Sequence, residues 1–233
     1  MREEDEANPL AEFFFERRHS YAQKWADYFD IYHRHFGRFR GRSPVVLEIG
    51  VKQGGSLEMW REYFGAGCRI YGVDIDARCA ACAGEAISVL IGDQSDRAFL
   101  ARLRRELPRI DVLIDDGGHR VADQIATFEE LFPHLSETGL YLCEDVHTSY
   151  WEQYGGGLAR SGTFIEFSKA LVDRLNAWHW QDIEQASADP FARSAWSIAF
   201  YRSVVVVEKR PVGPPRDCKR GEMRFGGDAA SGS

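Results

Sequence analysis

The sequence predicts an α/β domain built on a doubly wound sheet, mostly parallel and closed by an antiparallel hairpin. Three observations predict it. Short β-branched runs alternate with helical periodicities between residues 43 and 145, the order that makes a parallel sheet with helices on both faces. The runs end in acids, at the sheet end where such folds bind ligands. After residue 180 the alternation stops, and "SAWSIAFYRSVVVVEKR" (194–210) reads as two strands joined by a tight turn near Arg202 and Ser203.

The elements follow in order. Residues 1–8 read as a frayed tail. Residues 11–36 carry Phe14, Tyr21, Trp25, Tyr28, Tyr32 and Phe36 at helical spacing, which predicts one or two helices before the sheet. "SPVVLEIG" (43–50) is a buried strand bounded by Pro and Gly. "SLEMWREYFG" (56–65) places Leu57, Trp60 and Phe64 on one helix face and stops at Gly65. Strands at 68–75 and 86–93, a helix at 96–107, a strand at 110–116, a helix at 122–135 and a strand at 139–145 complete the alternation. With the hairpin, the sheet has seven strands. Residues 211–233 are rich in Pro, Gly and charge and read as a flexible tail.

With 233 residues, 44% hydrophobic and 28% charged, the chain suits one globular domain. It has no apolar run of about 20 residues, so no membrane partner is expected. The acidic start "MREEDEANPL" is unlike a signal peptide. A formal charge of −7 argues against a nucleic-acid partner held by phosphates. Cys79 and Cys82, among five cysteines, form a C-x-x-C without the second pair that a zinc ribbon needs. "DARCAACAGEA" reads instead as an alanine-rich helix, and the odd count with no export signal points to the cytoplasm.

The acids at the strand ends are Glu48, Asp74 with Asp76, Asp93, Asp115 with Asp116, and Glu144 with Asp145. "EIGVKQGGS" (48–56) is a glycine-rich turn entering a helix, so Gly50, Gly54 and Ser56 let backbone approach a ligand. It matches neither the dinucleotide fingerprint nor a Walker loop. Asp74, about 25 residues on, is placed to accept hydrogen bonds from ribose hydroxyls. Glu48 has a second reading, as a cap partner for the next helix.

The "LEIGVKQGGS" loop, Asp74, "IGDQSD" (91–96) and the closing hairpin resemble class I S-adenosylmethionine-dependent methyltransferases, which have a Rossmann-like fold. More narrowly, "IYHRHFGRFRG" (31–41), "GDQSD", "IDDGGH" and "EDVHTSYWEQYGGG" (144–157) resemble the metal-dependent sugar O-methyltransferases of macrolide antibiotic biosynthesis, over residues 20–210. The resemblance implies a methyl transfer from S-adenosylmethionine to a sugar hydroxyl of a glycosylated metabolite or saccharide. It implies S-adenosylmethionine contacts from Glu48, Gly50, Gly54, Ser56, Asp74, Asp93, Gln94 and Asp115. It also implies an N-terminal segment (1–40) over the cofactor site, with Lys24 and Tyr28 covering the cofactor, ahead of a methyltransferase domain (41–210). Lys24 and Tyr28 read equally well as a solvated helix face.

Asp116, Glu144 and Asp145, at the ends of neighbouring strands, repel unless a hard cation lies among them; oxygen donors suit Mg²⁺, and Mn²⁺ serves as well. In the enzymes the chain resembles, acids at these motif positions bind magnesium. His119, three residues after Asp116, is the expected general base, since an imidazole titrates at about pH 6.5. His147 reads as a support for a ligand or a substrate contact. Tyr150, Trp151 and Tyr154, ahead of Gly155–Gly157, read either as a lid or as core.

Two rival functions stay open at this stage. Asp116, His119 and His147 form the residue set of an iron hydroxylase, and similar sequences include proteins named as cephalosporin hydroxylases. A cofactor-binding protein without catalysis is the other. A homodimer or larger homo-oligomer is expected from the sheet-edge hairpin and the N-terminal helices.

Overall fold

The N-terminal aromatics form two separate helices, α1 (Pro9–Glu16) and α2 (Tyr28–Phe36), with an irregular segment between them. The structure, a computed structural model, describes residues 8–17 and 20–222. The expected tails at 1–8 and 211–233 fall partly outside them; residues 211–222 carry no helix or strand. Pro9 opens α1 behind Asn8, whose side chain accepts from the backbone N–H groups of Leu10 and Ala11. Tyr21 and Trp25, placed on a helix by their spacing, lie in the irregular segment.

The alternation then runs β1 (Val45–Ile49), α3 (Gly55–Phe64), β2 (Arg69–Asp74), β3 (Ile87–Ile91), α4 (Arg97–Glu106), β4 (Ile110–Asp115), α5 (Val121–Leu131) and β5 (Leu135–Cys143). Two helices, α6 (Phe164–Leu175) and α7 (Ile183–Ala188), follow where the sequence predicted none. The hairpin β6 (Ala195–Tyr201) and β7 (Val204–Lys209) closes the sheet. Cys79 and Cys82 lie on a short 3₁₀ segment, Ala77–Cys82, rather than an α-helix.

The seven strands are ordered β3-β2-β1-β4-β5-β7-β6. The β1, β2, β3, β4 and β5 pairings are parallel, and β7 inserts antiparallel between β5 and β6. The order reverses between β1 and β4, which creates a crevice at their carboxyl ends.

Alternation of side chains along each strand divides the core in two. Leu47, Ile49, Leu113, Tyr141 and Val205 face α4, α5 and α6. Val46, Val112, Ile114, Leu142 and Val206 face α1, α2 and α3. The same parity governs the acids at the strand ends. Glu48, Asp116 and Glu144 continue the second set, and Asp115 continues the first.

Candidate active site

The loops after β1, β4 and β5 leave the sheet at one level, tied by hydrogen bonds from Gly50 N to Val73 O, Asp116 N to Ile49 O, and Glu144 N to Asp115 O. Above them lies a cavity of about 1370 Å³. That exceeds the roughly 300–1,000 Å³ of an ordinary small-molecule pocket and leaves room for two ligands.

The glycine-rich loop forms one wall. Gly50 has φ 97°, and a Cβ there would stand 2.0 Å from the carbonyl oxygen of Asp116, so only glycine lets these loops meet. Gly54, at φ 81°, turns the chain into α3. Asp74 holds the loop: its Oδ2 accepts from Val51 N at 2.9 Å and Lys52 N at 3.0 Å, and its Oδ1 from Asp76 N at 2.9 Å. Burial alone would push its pKa up, but the three N–H groups hold it below the ordinary carboxylate value.

Asp93 and Gln94 also line the cavity. The Gln94 amide is fully engaged: Nε2 donates to Asp115 Oδ1 at 2.7 Å and Thr127 Oγ1 at 3.0 Å, and Oε1 accepts from Gly118 N at 3.0 Å. Gln94 thus pins the turn after β4. Asp115 does not reach the cavity. It is buried among Gln94 and Tyr141, whose hydroxyl donates to Oδ2 at 3.0 Å, and burial pushes its pKa up to about 7. Glu48 likewise faces inward. It accepts from Ser56 Oγ at 2.7 Å and is no backbone cap for α3.

A positive partner for two of the three predicted ligand acids, Asp116 and Glu144, is present in the chain itself. Lys24, from the segment between α1 and α2, reaches Asp116 Oδ2 at 2.6 Å, the Glu144 oxygens at 3.0 and 3.1 Å, and Glu48 Oε1 at 3.4 Å. Its side chain is 2% exposed, so it is not part of a solvated helix face. Burial disfavours the ammonium, yet Asp116, Glu144 and Glu48 raise its pKa well above the ordinary lysine value. One ammonium does not balance the cluster: burial and the neighbouring Asp116 push Glu144 well above the usual carboxylate range.

Beside this pair, Asp116, His119 and Asp145 bring one ligand atom each to within 4.8 Å of one another. His119 Nε2 lies 3.8 Å from Asp116 Oδ1 and 3.6 Å from Asp145 Oδ2. Asp145 accepts from the Tyr28 hydroxyl at 2.7 Å, which places Tyr28 under the acids. His119 and Asp145 have φ values of 55° and 52°, left-handed backbone in non-glycine residues at the centre of the site. Of the predicted ligands, Asp116 and Asp145 therefore face His119, and Glu144 faces Lys24. His147 is not part of this group; its Nδ1 pairs with Ser203 Oγ, so the two-histidine set of an iron site does not converge.

Trp25, 63% exposed, meets the His147 ring edge-on at 6.3 Å, and His147 meets Trp151, 44% exposed, at 4.6 Å. These rings form an open aromatic shelf beside Asp145. Gly155, Gly156 and Gly157 donate to Glu152, Trp151 and Ser149 carbonyls, which ties the loop into turns. Neither Lys24 nor this shelf was assigned a definite role from the sequence. Both depend on where irregular segments lie, which periodicity does not record.

Residues 47–146 match the family model described as a methyltransferase domain. Among curated proteins the chain is similar to an 8-demethyl-8-alpha-L-rhamnosyl tetracenomycin-C 2'-O-methyltransferase of Streptomyces olivaceus, 38% identical over 81% of this chain and 52% of the relative. It is also similar to a mycinamicin VI 2''-O-methyltransferase of Micromonospora griseorubida, 36% identical over 76% of this chain and 47% of the relative. A solved structure of the MycE methyltransferase of mycinamycin biosynthesis, in complex with Mg, SAH and mycinamycin VI, superposes with a TM-score of 0.77 at 32% identity, covering 88% of this chain and 53% of that one. The chain spans about half the length of the curated relatives it matches. Motif, sheet order and relatives agree in placing a methyltransferase domain in this chain, matched over residues 47–146.

Proposed function

We propose that this protein is an Mg²⁺-dependent O-methyltransferase that moves a methyl group from S-adenosylmethionine to a sugar hydroxyl of a glycosylated small molecule. The observation that carries the reading is the convergence of Asp116, His119 and Asp145 beside a cavity with room for donor and acceptor together. Relatives named as sugar O-methyltransferases, and the Mg and SAH in the similar structure, support it.

The residues fit a divalent cation. Glu48, Asp116, Glu144 and Asp145 bring more negative charge than Lys24 offsets, and their donors are the carboxylate oxygens that Mg²⁺ prefers. Asp116 and Asp145 would hold it, joined by Glu144 once its carboxylate leaves Lys24. When bound, S-adenosylmethionine supplies the methyl group and Mg²⁺ supplies Lewis acidity toward the acceptor hydroxyl. Gly50, Gly54, Asp74 and Asp93 shape the donor side, with Gln94, Asp115 and Ser56 holding the loops beneath. His119 takes the hydroxyl proton at Nε2, and the carboxylates of Asp116 and Asp145, both within 4 Å, stabilise the imidazolium. The Trp25–His147–Trp151 shelf offers ring faces to a sugar. The proton thus passes to His119 as the methyl passes from sulfur to oxygen.

A cytoplasmic setting suits five free thiols. No helix among the described residues is long and apolar enough to cross a membrane.

The test is calorimetry of S-adenosylmethionine binding with and without Mg²⁺, followed by mass spectrometry of glycosylated acceptors incubated with both. Donor binding and a methylated acceptor are expected. Failure to bind S-adenosylmethionine at any concentration sinks the reading.

A further inference from the structure

Lys24 is more deeply placed than a surface strap requires. Its segment is fastened to α3, where Ser20 N and Oγ donate to Glu58 at 3.0 and 2.6 Å. From there the ammonium reaches the acids on the floor of the cavity. Glu48, Asp116 and Glu144 surround it, and the rings of Tyr32 and Trp60 stand 5.9 and 6.0 Å away. Asp116 is shared between two neighbours. Its Oδ2 holds Lys24 at 2.6 Å, and its Oδ1 turns toward His119 at 3.8 Å.

This arrangement sets two cations against each other. A divalent ion held by Asp116 and Asp145 lies one carboxylate away from the ammonium, and like charges at that separation repel strongly in a poorly solvated site. The Glu144 carboxylate, with both oxygens on Lys24, serves the ion only by leaving the ammonium.

We propose that Lys24 is a built-in competitor of the divalent cation: it neutralises Asp116 and Glu144 while the site is empty of metal, and it lowers the affinity of those acids for the ion that replaces it. The inference rests on the Mg²⁺ reading above. Lys24 is a positioning residue, since it acts on the ligands and not on the reacting atoms. Its role is to keep the acid cluster buried and assembled before metal arrives, at the expense of metal affinity.

The experiment is calorimetric titration of Mg²⁺ into the metal-stripped full chain at about pH 8, well above the ordinary carboxylate range. Wild type, Lys24→Met and Lys24→Met/Glu48→Gln are compared. The double variant removes the acid not needed for the ion, and so relieves the repulsion that Lys24→Met leaves behind. Both variants are expected to bind Mg²⁺ at least about tenfold more tightly than wild type. Wild-type binding with unchanged or weaker binding in the variants overturns the inference and leaves the metal reading intact. Absence of binding in all the proteins overturns both. A measurement on wild type alone covers the case of variants that do not fold. Mg²⁺ is expected to speed amide hydrogen exchange at residues 20–27 as Lys24 lets go, and slowed or unchanged exchange there overturns the inference.

Discussion

Asp115 and Asp116, neighbours in the chain, send their carboxylates to opposite faces of the sheet: Asp115 to Gln94 and Tyr141, Asp116 to Lys24. The pleat imposes the division, and the two substitutions therefore separate stability from metal binding. Asp115→Asn sets an amide donor against the donors Gln94 Nε2 and Tyr141 OH, at a cost of about 1–3 kcal/mol in urea unfolding. Its Mg²⁺ affinity stays near wild type. Asp116→Asn removes a ligand acid, and calorimetry is expected to show Mg²⁺ binding lost with S-adenosylmethionine binding kept.

His119→Ala is expected to lower kcat by about 10²–10⁴-fold, the range for a lost general base. Mg²⁺ and donor affinities, measured by calorimetry, change far less. A kcat within a few-fold of wild type would assign proton removal elsewhere.

Gly50→Ala places a methyl group 2.0 Å from the Asp116 carbonyl in left-handed backbone. The β1 and β4 loops must then part, at about 2 kcal/mol or more of stability. Thermal unfolding and S-adenosylmethionine affinity should fall together, because the same contact shapes the donor wall.

Trp25→Ala and Trp151→Ala test the shelf. Each is expected to raise the acceptor KM by about tenfold, the loss of one aromatic contact. The dissociation constant of S-adenosylmethionine is expected to stay the same.

Arg174 donates to both oxygens of Asp189 at 2.7 Å, and these hydrogen bonds hold the Asp189 pKa below its ordinary value. A carboxylate depressed in the folded state stabilises the protein above its unfolded pKa of about 4, and that stability is lost as pH falls through the lower folded value. Asp189→Asn is therefore expected to cost about 1–2 kcal/mol at neutral pH. The gap between variant and wild type should close in acid denaturation below about pH 4.

The strands were legible because their β-branched runs are short and bounded. "VVLEI" is buried at all five positions, Glu48 among its four apolar residues. The acids at the strand ends were legible for the same reason, and parity alone places Glu48, Asp116 and Glu144 on one face. What stayed hidden depends on long-range placement. α6 follows the loop-forming Gly155–Gly157, and its start is marked only by Thr163, whose side chain accepts from Glu166 N. The place of Lys24 is masked in the sequence because Tyr21 and Trp25 extend the helical spacing of α2 across a segment that is not helical.

Lys24 stands 92 residues from Asp116 and 120 from Glu144 along the chain. Until the segment bearing it docks, the sheet cannot bury those acids as ions; they must stay hydrated or take up protons. The segment bearing Lys24 is thereby among the last parts of the fold to find its place, after β1, β4 and β5 have paired. Covering the acids becomes a closing step of folding, because their burial as ions waits on the ammonium.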